Sequence, residues 1–145
     1  MKLCFWRRAT AGQEEMSATA RSGIWGEKIA EGFLRKNGFK IIGRRVKIGS
    51  RDELDIVARD GRELVFVEVK TRATVKFGEP LSAVNRGKRH ALSRAAVRYL
   101  KRLHSPEVIF RFDVVEVVGT PDSDEDPVVR HIPNAFQLDR IYRVQ

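Results

Sequence analysis

The chain contains a single cysteine, Cys4, so neither a disulfide framework nor a cysteine-based zinc site can form within it. Its three histidines, His90, His104 and His131, have no zinc-ligand spacing. There is no glycine-rich phosphate loop and no nucleophile elbow. No apolar run approaches the ~20 residues of a membrane-spanning helix. The apolar patch in "MKLCFWRRATAG" is too short for the core of a signal peptide. These absences lead us to expect a cytoplasmic protein in a reducing compartment, with no membrane contact. Acids are also missing between Glu79 and Glu107, where seven basic residues fall.

Basic charge is what the chain has in excess. The net charge is +9 and the pI about 10.2, which points to a polyanionic partner, nucleic acid or an anionic surface. With 145 residues and 42% hydrophobic content, one domain with a single core is expected. We read residues 1–21 as a flexible tail and residues 22–145 as that domain.

Element signals follow in order. "GIWGEKIAEGFLRKNGF" repeats Ile29, Ala30, Phe33 and Leu34 at helical spacing and stops at Asn37-Gly38. "FKIIGRRVKIG" reads as a strand. Two β-rich runs flank Asp60-Gly61, a hairpin signal. "TVKFGEPLSAVNRG" reads as a loop. A helix from Arg86 to Leu103 carries the stripe Leu92, Ala95, Ala96, Tyr99, Leu100 and Leu103. "VIFRFDVVEVVG" is a strand with Phe110, Phe112 and Val114 on one face, and "VVRHI" pairs back as the last one. "NAFQL" reads as a short helical turn. The order is helix, three strands, helix, two strands, a mixed sheet with helices packed on it, of α/β or α+β class.

The run "LVFVEVKTR" places Glu68 and Lys70 on one face and Val65, Val67 and Val69 on the other. A two-residue Asp60-Gly61 loop pairs Arg59 with Arg62, Asp55 with Phe66 and Glu53 with Glu68. Glu53, Asp55, Glu68 and Lys70 then project from one side, with Leu54, Ile56 and the valines on the other. Carboxylates set side by side need compensation by a divalent cation, a proton or basic groups. Mg2+ on Asp55, Glu68 and waters, with Glu53 nearby, would supply it. Lys70 would then act on a bound water or on charge developing at a phosphate. The ordinary alternative is a salt-bridge ladder on a solvated strand.

Glu27 shares the inward stripe of Ala30 and Leu34, and can reach the same site or serve as a first-turn helix acid. Lys88 shares the stripe of Leu92, Ala95 and Tyr99 and is a candidate for contact with nucleic acid; its alternative is to snorkel from the core edge. Arg86, His90, Arg94, Arg98 and Lys101 share one helix face, a phosphate-tracking surface or a solvated one. Arg45 stands just before the acidic hairpin, and Arg89 adds to the basic helix.

Asp55, then Glu68-x-Lys70 across a hairpin, with Glu27 on a preceding helix, resembles the PD-(D/E)xK nuclease superfamily. The wider pattern resembles the YraN family of bacterial proteins. "GEKIAEGFLRKNGFKII", "DELDIVARDGRELVFVEVKTR", "FGEPLSAVNRGKRHALSRAAVRYL", "RFDVVEV" and "HIPNAF" carry that likeness. The resemblance implies a restriction-endonuclease-like mixed sheet flanked by helices. It implies Mg2+- or Mn2+-dependent cleavage of DNA, including branched or repair intermediates. Asp55 and Glu68 match the metal acids, Lys70 the catalytic lysine and Glu27 the helix acid. Lys88 aligns with a basic residue of the second helix. Where the family has glycine before the hairpin acid, this chain has Asp52, expected to add a carboxylate. Symmetric cleavage of a junction would want a homodimer. A non-catalytic nucleic-acid-binding module on the same scaffold is the alternative function, and an interaction adaptor a third.

Overall fold

The computed structural model describes residues 16–74, 84–104 and 107–143. Helix α1 (Ala18–Lys36) is followed by strands β1 (Lys40–Ile48), β2 (Asp52–Asp60) and β3 (Glu63–Arg72). Helix α2 (Arg86–Arg102), β4 (Phe110–Val118), β5 (Val128–Phe136) and a 3-10 turn, Arg140–Tyr142, follow among the described residues. The five strands form one sheet in the order β1-β2-β3-β4-β5. All pairs are antiparallel except β3 and β4, which run parallel because α2 crosses between them. This is the mixed α/β sheet with two flanking helices expected of a restriction-endonuclease-like fold.

α1 starts earlier than its hydrophobic periodicity suggests. Ser17 caps it, its hydroxyl accepting from the Ala20 amide at 3.2 Å. Ala18 to Arg21 are therefore helix, not tail; residues 1–15 of the expected tail lie outside the described residues. The helix stops at Asn37-Gly38 as expected, with Gly38 at φ 88°. Gly26 lets α1 lie close on the sheet: a Cβ there would sit 1.9 Å from the Thr71 hydroxyl of β3.

The hairpin register is shifted by two residues from the sequence reading. Asp60 pairs with Glu63, Arg59 with Leu64 and Ile56 with Val67. The loop is Gly61-Arg62, and Gly61, at φ 58°, supplies the positive φ that a II′-type turn needs at its first central position. An even shift keeps the faces of β3.

Both faces of the sheet are nevertheless buried. Leu64, Phe66, Val57, Phe112 and Val114 pack under α2 with Leu92, Ala95 and Ala96. Val65, Val67, Ile56, Ala58, Val115 and Val117 pack under α1 with Ala30 and Leu34. Leu54 belongs to the α2 side and Ile56 to the α1 side, so the expected common face of these two breaks at Asp55. The loop read at residues 75–83 lies outside the described residues. "NAFQL" is not helical: β5 runs through Pro133 to Phe136, which an edge strand tolerates. There Asn134, at φ 51°, gives its amide to Asp113 at 2.9 Å.

Candidate functional site

β2 and β3 part company at Asp55. Their ladder ends at Ile56–Val67, and one step further the Asp55 carboxylate accepts the Val69 amide at 2.9 Å. A backbone donor that would have lost its strand partner is satisfied by a side chain. Asp55 is thereby held at the gap between strands, reached from the α2 face by Glu68 and from the α1 face by Glu27.

Glu68 is 9% exposed and lies beside Asp55. Burial first, and the neighbouring Asp55 carboxylate second, push the Glu68 carboxyl up to about 7. Burial likewise raises Asp55, against the pull of the Val69 amide, and Glu27 raises it further. Both carboxyls are thereby held protonated to higher pH than isolated ones. Glu68 Oε1 lies 3.4 Å from Lys88 Nζ of α2, while the buried Oε2 has no hydrogen-bond partner. Lys70 follows two residues on along β3, on the Glu68 side of the strand.

Glu27 is bound by Arg45, whose Nε and Nη2 donate at 2.7 and 3.3 Å. Arg45 holds a φ of 44°, in the left-handed region that a side chain rarely adopts. With Ile24, Lys28, Glu31, Arg44, Asp55 and Ile56, this pair lines a cavity of about 150 Å³ on the α1 side. Glu53, expected among the metal acids, is exposed. Among the described residues no three acids or histidines converge into a metal-binding cluster.

A family model described as uncharacterised protein family UPF0102 matches residues 26–117, a span holding Glu27, Asp55, Glu68, Lys70 and Lys88. The chain belongs to the UPF0102 family. A UPF0102 protein of Syntrophotalea carbinolica is 44% identical over 119 residues, covering 81% of this chain and 92% of that one. One from Symbiobacterium thermophilum is 48% identical over 116 residues, covering 80% and 96%. The structure of Pyrococcus furiosus SfsA in complex with Ca2+ overlaps at TM-score 0.38 and 19% identity, covering 77% of this chain and 62% of its own. That overlap carries no argument.

In this UPF0102 chain the basic residues divide. Arg86 and Arg89 in the first turn of α2, and Arg98 further along, are exposed. Arg94 is engaged: its Nε and Nη2 each donate to Asp52 at 2.7 Å. Asp52 is 8% exposed and held low by that guanidinium. Asp52 thus adds no carboxylate to the site; it locks α2 to β2. His90 pairs with Asp139 at 2.9 Å. The acids missing from α2 in sequence are supplied to its basic face by other elements. Lys88, itself exposed, reaches Glu68 Oε1 at 3.4 Å. Sequence reasoning missed Glu116 altogether. It continues the Phe110, Phe112, Val114 face of β4 and is fully buried; an acid closing an apolar stripe was the available signal.

Proposed function

We propose that this protein is a metal-dependent endonuclease that hydrolyses phosphodiester bonds in DNA, including branched or repair intermediates. The observation that carries the reading is the Asp55–Glu68 pair. Buried Glu68 and half-buried Asp55 are neighbours whose carboxyls are both pushed up, Glu68 Oε2 has no hydrogen-bond partner, and Lys88 stands 3.4 Å from Oε1. The motif resemblance to PD-(D/E)xK nucleases supports it. Nothing in core packing favours such a pair, whereas Mg2+ characteristically takes one or two carboxylates with waters and substrate phosphates. The donor set fits Mg2+ or Mn2+.

Asp55 and Glu68 would hold the cation, which when bound polarises a phosphoryl oxygen and makes water a stronger acid. Val69 fixes the Asp55 carboxylate through its amide, so that ligand is oriented before substrate arrives. Lys88 offsets the charge of Glu68 and keeps the carboxylate pair from repelling an incoming phosphate. Lys70 stabilises the attacking water and the charge that develops on phosphorus-bound oxygen. Glu27, oriented by Arg45, faces Asp55 from the other side and can accept a proton as the water attacks. Arg86, Arg89 and Arg98 give exposed positive charge along α2 for backbone phosphates.

The test is cleavage of single-stranded, duplex and four-way DNA with Mg2+ or Mn2+, beside Lys70→Ala and Asp55→Ala. Wild-type cleavage lost in both variants is expected. Cleavage unchanged in both overturns the site, and no DNA binding at low salt overturns the substrate.

A further inference from the structure

Two acids of β4 are fully buried, and they differ in one respect. Asp113 accepts from Arg111 at 2.9 and 3.2 Å, from His131 at 2.8 Å and from the Asn134 amide at 2.9 Å. Glu116 has neither oxygen in a hydrogen bond. Its ion pair with Arg72, Nε to Oε1 at 3.4 Å, lacks hydrogen-bond geometry. Burying a carboxylate in this way is costly unless surrounding charge compensates.

The register supplies that charge. Glu116 stands beside Lys70 in the parallel β3–β4 ladder and beside Arg130 in the β4–β5 ladder. In-register neighbours lie about 4.8 Å apart and share a face. That face is the α2 side, the face of Phe112 and Val114. Glu68, Lys70 and Arg72 of β3 project to it as well. One buried negative charge therefore sits amid Lys70, Arg72 and Arg130, one strand away from the Asp55–Glu68 pair.

We infer that Glu116 is a positioning residue: its carboxylate fixes the cationic end of β3, Arg72 by direct ion pairing and Lys70 through their shared ladder position, so that Lys70 is presented to the reacting phosphate beside Glu68. This rests on the nuclease reading for the role of Lys70, though not for the placement of the cations. A carboxylate kept solely for stability would be hydrogen-bonded, as Asp113 is. One with unmade bonds is retained at some loss of stability, a pattern found where function needs it.

Glu116→Gln keeps the shape and removes the charge. It is expected to lower kcat for DNA cleavage about tenfold with KM little changed, at a thermal midpoint equal to or above wild type. Glu116→Asp, which keeps the charge on a shorter arm, falls between. The Arg72 Nε–H resonance in a 1H–15N spectrum at fixed pH should move in Glu116→Gln. Activity that falls only in step with the thermal midpoint overturns the inference, as does an unmoved resonance. If Glu116→Gln does not fold, Glu116→Asp carries the same readouts. If wild type does not cleave DNA, the nuclease reading fails, while the resonance and the thermal midpoint still decide whether Glu116 positions the cations.

Discussion

Glu68 is the residue whose ionisation the fold alters most usefully. Its folded carboxyl titrates at about 7 against an ordinary 4.5, so between those values the folded chain binds more protons than the unfolded one. Its contribution to stability is therefore greatest below pH 4.5 and falls as pH rises to 7. In metal-free protein, urea midpoints of wild type should fall relative to Glu68→Gln across that window. A divalent cation displaces the same proton. Calorimetry in buffers of different ionisation heat should find Mg2+ or Mn2+ binding that tightens as pH rises through 7, with up to about one proton released. Binding independent of pH would count against the carboxylate pair as its site. Lys70→Ala should leave that binding nearly intact while lowering cleavage by roughly 10²–10⁴-fold, the usual range for a lost acid–base or charge-stabilising group.

Among the elements, α1 and α2 are placed by unlike contacts. α1 approaches β3 over Gly26, where a methyl group has no room against Thr71. Gly26→Ala should destabilise by about 1–3 kcal/mol in chemical denaturation, since overpacking outweighs the small propensity gain of alanine. It should also weaken cleavage, because Glu27 is the next residue. α2 is pinned by Arg94 to Asp52, with side chains 18% and 5% exposed. Arg94→Ala leaves a buried carboxylate without its partner and should cost about 3 kcal/mol. Metal affinity should stay unchanged in that variant, which separates a structural Asp52 from a ligand.

At the scale of the whole molecule, the sheet is a two-sided core, with one apolar cluster under each helix. The site lies where the sheet opens between its second and third strands, so it can be charged from both layers without either core being breached. The net charge of +9 acts over the same scale. DNA affinity should fall steeply with salt, and Arg86→Ala or Arg89→Ala should each lower the log–log slope by about one while sparing metal binding. Equal slopes for wild type and both variants would remove these arginines from the interface. No helix among the described residues is long and apolar enough to cross a membrane.

Local periodicity by itself determined the order of elements, the apolar stripe of α2, the Asn37-Gly38 stop and the alternation that sets Glu68 and Lys70 on one face of β3. Those follow from 3.6- and 2-residue repeats, which are properties of neighbours in the chain. The hairpin was legible to within an even slip, because parity survives a shift of two. The tertiary structure alone decided the rest. Asp55 reaches the Val69 amide because two strands diverge, which no repeat records. Arg94 and His90 find their acids on other elements. Lys88 meets Glu68 across the α2 crossover, and Glu116 stands beside Lys70 in a parallel register that 40-odd intervening residues conceal. Charge compensation in this protein is a matter of distance in space, and sequence spacing does not encode it.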